Sequence, residues 1–61
     1  MTKIAPSHYE STINGHAIQV FKGEGQRTWQ LVVNRVWWND FWTKADAMSA
    51  IEDAKRAGDL A

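Results

Sequence analysis

The sequence predicts an α+β domain, an antiparallel sheet of three to four strands followed by one C-terminal helix packed on one face, in the order β-β-β-β-α. Three observations carry that expectation. Asn14-Gly15 stands between two β-type runs; a type I′ turn needs positive φ at both central residues, and this pair tolerates it. "RTWQLVV" alternates Trp29, Leu31 and Val33 against Thr28, Gln30 and Val32, the period-two pattern of a half-buried strand. After Thr43 the period lengthens, and Ala47, Met48, Ile51 and Ala54 recur at three- and four-residue spacing as one apolar stripe of a helix.

Each element follows in order. "MTKIAPS" has one proline and no periodicity, so residues 1–7 read as a loose leader before a single domain over 8–61. A first strand is expected over 9–13 and a second over 16–22, hinged at Asn14-Gly15. "GEGQ" is a glycine-punctuated loop into a third strand over 27–33. Asn34-Arg35 turns the chain into a fourth, over 36–41. Thr43 then caps a helix, with Asp46 in its first turn facing the positive end of the dipole. Lys55 and Arg56 suit the last turn, and Gly58 sits where a left-handed cap belongs. Five alanines between Ala45 and Ala57 make this helix slim enough to lie close on a sheet.

Two-residue turns set the register, because residues flanking such a turn lie opposite each other and share a face. That bookkeeping expects Ile13, His16, Ile18, Val20, Trp29, Leu31, Val33, Val36, Trp38 and Trp42 toward the helix, with Met48 and Ile51 above them. It leaves Gln19, Phe21, Gln30, Val32, Trp37, Asn39 and Phe41 on the open face, with Arg27 and Arg35 near its edge. Phe21, Val32, Trp37 and Phe41 would form an apolar patch among amides, and contiguous exposed patches mark interaction surfaces. Trp and Arg are also the residue types enriched at binding hot spots. A bulge at Trp37-Trp38 or a longer second turn is the alternative, sending Trp37 inward and leaving scattered exposure.

Composition narrows the function. The chain has 61 residues, enough for one domain, and no cysteine, so disulfides and thiolate metal sites are excluded. Seven basic and seven acidic residues cancel, so no global field steers it to nucleic acid or anionic lipid. No long apolar run or signal-peptide pattern is present, and a cytoplasmic protein is expected. His8 and His16 lack partners at metal-ligand spacing, and no serine has a base and an orienting acid at recognisable offsets. "GEG" lacks the Lys-Ser/Thr of a phosphate loop. Glu52, Asp53, Lys55 and Arg56 read as a solvated helix face, with Glu52 and Arg56 at i, i+4 spacing. No enzyme, metal or cofactor is expected.

Residues 16–57, with "FWTKADA" at their centre, resemble the arm-type sheet-plus-helix domain at the N-terminus of phage integrases, in which an aromatic precedes Thr-Lys-x-x-Ala and opens the helix. The resemblance implies a sheet face that reads double-stranded DNA, here through Gln19, Gln30, Arg27 and Arg35. This chain departs from it by placing Phe21, Val32 and Trp37 where basic residues would be expected, and by its zero net charge. An apolar, amide-rimmed face suits a protein partner better. The expected function is therefore a small phage or mobile-element protein-binding module that occupies a partner's surface, one form being an inhibitor of a host defence complex such as an anti-CRISPR protein. A DNA-binding module is the alternative, and a homodimer through the open face would make the patch structural.

Overall fold

The computed structural model describes all 61 residues. Five strands and one helix follow one another along the chain: β1 (Thr2–Ala5), β2 (His8–Ile13), β3 (His16–Phe21), β4 (Trp29–Val33), β5 (Val36–Phe41) and α1 (Lys44–Ala57). The strands pair in sequence order as one antiparallel meander, so β1 and β5 are its two edges. The segment expected as a loose leader is thus largely a strand, with Thr2 opposite Glu10 and Lys3 opposite Tyr9. It was not legible because an edge strand needs only one partner, and the pairing of β1 with β2 is irregular between Lys3 and Ala5. The strand expected over 27–33 begins only at Trp29, and that over 16–22 ends at Phe21. Lys22 to Thr28 form the connection, in which Gln26 Oε1 accepts from the Gly23 amide at 3.0 Å.

Local chemistry accounts for the boundaries. Asn14 and Gly15 have φ of 50° and 82°, and Asn34 and Arg35 have 52° and 66°, so both tight turns take positive φ at both central residues. Thr43 accepts from the Asp46 amide at 3.1 Å and starts α1. Gly58, at φ 87°, ends it, with its amide directed to the carbonyls of Ala54 and Lys55. The helix's ion pairs are Glu52–Lys55 and Asp53–Arg56, one residue closer than the expected Glu52–Arg56 pair.

The core lies between α1 and the inner strands. Ile18 and Val20 of β3, Leu31 and Val33 of β4, Ala47, Ile51 and Ala54 of α1, and Leu60 are buried. Each larger aliphatic among them contributes about 1.5–3 kcal/mol by leaving water. Ile13, Trp29, Phe41, Met48 and Ala50 pack around this cluster half-buried. Leu60 returns to the core because the left-handed cap at Gly58 reverses the chain, and the Asn14 side-chain amide donates to its carbonyl at 2.8 Å.

One irregularity reorganises the tryptophans. Val33 pairs with Val36 and Val32 with Trp37, but Leu31 then pairs with Asn39 and Trp29 with Phe41, so Trp38 is the extra residue of a bulge. Regular alternation would have aimed Asp40 at the apolar core and Phe41 at water. With the bulge Phe41 packs on the core and Asp40 faces out, which spares the burial of an unpaired carboxylate. Trp38 and Trp42, expected in the core, are not there: Trp42 is 74% exposed at the strand–helix junction and Trp38 is 37% exposed beside the helix. Only Trp29 of the three expected tryptophans packs on the core. Tyr9 and the Lys22 ammonium flank it, at 6.2 and 5.7 Å from its ring.

Candidate protein-binding surface

The register sorts the open face residue by residue. One row across the sheet reads His8, Phe21, Gln30 and Asp40; the next reads Glu10, Gln19, Val32 and Trp37. Five of the expected partner-binding residues therefore share this face: Gln19, Phe21, Gln30, Val32 and Trp37. Asn39 and Phe41 do not, because the bulge turns both to the helix side. Arg27 lies in the loop before β4 and Arg35 in the turn after it, so the two cations stand at opposite ends of that strand rather than along one edge.

Trp37 is the largest side chain on this face and stands at its β5 edge. Its indole is 56% exposed, lies across from Val32, and donates from Nε1 to Asp40 Oδ1 at 3.0 Å. That bond along the strand holds a large apolar ring in one orientation at the surface, so little side-chain entropy remains to be lost on docking. The bulge at Trp37-Trp38 is present, yet Trp37 stays outward because the slip begins one residue later.

Polar groups fill the other half. His8 stacks obliquely on Phe21, with ring centroids 5.7 Å apart. Glu10 Oε2 lies 3.0 Å from His8 Nε2 and accepts from Gln19 Nε2 at 3.4 Å. The histidine approach lacks hydrogen-bond alignment and leaves His8 Nε2 enclosed without a directed partner. Gln30 donates to Gln26 Oε1 at 3.0 Å and ties the face to the β3–β4 loop. On the paired strands this face carries the acids Glu10 and Asp40 and no lysine or arginine.

Beside Trp37 the apolar surface continues around the β5 edge. Val36, Trp38 and Trp42 are exposed there, and none of them belonged to the surface expected from the sequence. The available signal was topological: in a meander the last strand has a neighbour on one side only, so half of its surroundings is water. His16 is engaged elsewhere, its ring nitrogens bonded to the Asn34 side chain at 2.8 Å and to the Ala61 carbonyl at 3.1 Å. No group of three His, Cys, Asp or Glu side chains is disposed to hold a metal. No helix is long and apolar enough to cross a membrane. No protein-family model, curated protein or solved structure matches the chain.

Proposed function

We propose that this chain is a non-enzymatic protein-binding module that docks through the open sheet face and the adjoining β5 edge and acts by occupying its partner's surface. The observation that carries this is Trp37: a half-exposed indole oriented by its own hydrogen bond, set beside Val32, with Phe21 on the same face and amides around it. Oriented exposed tryptophans among polar groups are the usual anchors of protein interfaces. An inhibitor of a host defence complex, phage or mobile-element encoded, is one such module and the form that capture from a host lysate would reveal.

The experiment is affinity capture with wild type and Trp37→Ala in parallel, with circular dichroism on both. The variant keeps its fold, since Trp37 contributes nothing to the core, and loses partner affinity by about 2 kcal/mol or more. Unchanged capture, or loss of the fold, would sink the reading.

The DNA-binding alternative has less behind it. Phosphate contacts by Lys and Arg supply most sequence-independent affinity, and the open face offers two carboxylates instead. Arg27 and Arg35 stand at opposite ends of β4, so they do not form one basic cluster.

A further inference from the structure

We propose that the partner anchors itself by an arginine side chain seated in the groove between β5 and α1. This rests on the protein-binding reading and names a second contact for it, around the strand edge from Trp37.

The groove measures about 480 Å³. Leu31 and Phe41 form its floor, Trp38 stands at its strand side, and Ala57 belongs to its helix side. The helix is slim there because its facing residues are alanines, so the groove follows from the same small-residue stripe that lets α1 approach the sheet. Its only charged lining residues are Asp53 and Asp59. Asp53 is already paired with Arg56 at 2.9 Å, whereas the Asp59 carboxylate has no ionic partner. The two cations of the last helical turn are already engaged, Lys55 by Glu52 and Arg56 by Asp53, which leaves Asp59 as the uncompensated charge at this end of the groove.

Apolar walls with a negative rim select an occupant with an apolar stem and a cationic head. Arginine fits better than lysine: its planar, weakly hydrated guanidinium can lie against an indole while donating to a carboxylate. Two other occupants of this edge are disfavoured. Strand addition to β5, by a peptide or by a second copy, meets a bulge at Trp38 and an Asp40 amide already bonded to Asn39 Oδ1 at 2.9 Å.

The test is an NMR titration of the whole chain with N-acetyl-arginine amide and with its neutral isostere N-acetyl-citrulline amide, following the indole and backbone amide resonances. Arginine should shift the Trp38 indole and the amides around Asp59 in a saturable, millimolar response, with citrulline at least about tenfold weaker. Asp59→Asn should bring arginine down to the citrulline level, since its side chain makes no internal bond. Ala57→Phe, which keeps both carboxylates but takes up the room, should abolish the response. Equal responses to arginine and citrulline would overturn the proposal, and so would an arginine response that survives both variants. Either failure leaves the protein-binding reading to the Trp37→Ala capture, which does not involve this groove.

Discussion

β4 and β5 are neighbours joined by a two-residue turn, and both are mostly apolar, yet one is core and the other is surface. In β4, Leu31 and Val33 are almost fully buried; in β5 Trp38 keeps 37% of its surface exposed and only Phe41 packs on the core. The difference is one of position. β4 has a strand on each side and the helix above it, whereas β5 has a strand on one side only and takes a bulge to turn Asp40 away from the helix. Hydrophobicity of a segment therefore says less about its burial than the number of elements that can close around it. In this molecule a core of aliphatics and alanines sustains the fold, and the tryptophans on β5 stay at the surface.

Substitutions on the two strands should separate in stability. The largest effect is expected at Leu31→Ala, which empties a fully enclosed site and should lower the unfolding free energy by about 2–5 kcal/mol in urea denaturation. A loss below about 1 kcal/mol would mean the core repacks freely around β4 and would remove the contrast. The turn between the strands gives an intermediate effect of opposite sign. Arg35 holds a φ of 66°, where its counterpart in the other tight hairpin is Gly15. Arg35→Gly should raise stability by about 1 kcal/mol, as a side chain in the left-handed region is strained and glycine is not. The smallest effect is expected at Trp42→Ala, which should stay within about 0.5 kcal/mol of wild type despite deleting the largest side chain in the chain's repertoire. A larger loss there would show that the edge tryptophans brace the fold, and would weaken the case for a surface kept free for a partner.

The strained Arg35 sharpens the contrast further. Strain of this kind persists only where surrounding structure holds it, and it gathers at functional positions. Here Asn34 supplies the hold: its Oδ1 accepts from the Ala17 amide at 2.9 Å and its own amide bonds back to the Ala17 carbonyl at 2.8 Å, fixing the turn against β3.

Much of the fold was legible in the chain because backbone chemistry is local. Asn-Gly dictates a tight turn through its tolerance of positive φ, Thr43 and Gly58 bound the helix through the hydrogen bonds they complete, and alternation around Trp29 to Val33 reports one wet and one dry face. The open-face placement of Gln19, Phe21, Gln30, Val32 and Trp37 follows from the same alternation carried across two turns. Tertiary structure alone decided the rest. The bulge at Trp38 arises from competition between Asp40 and Phe41 for the helix side, which depends on a core that residues 36–41 do not themselves contain. The strand at Thr2–Ala5 exists because β2 offers it an edge, and Leu60 is buried because the cap at Gly58 points it back between the helix and the sheet. Contacts between elements, rather than any pattern within one of them, set these three outcomes, and hydrophobic attraction, being non-directional, leaves no local pattern to announce them.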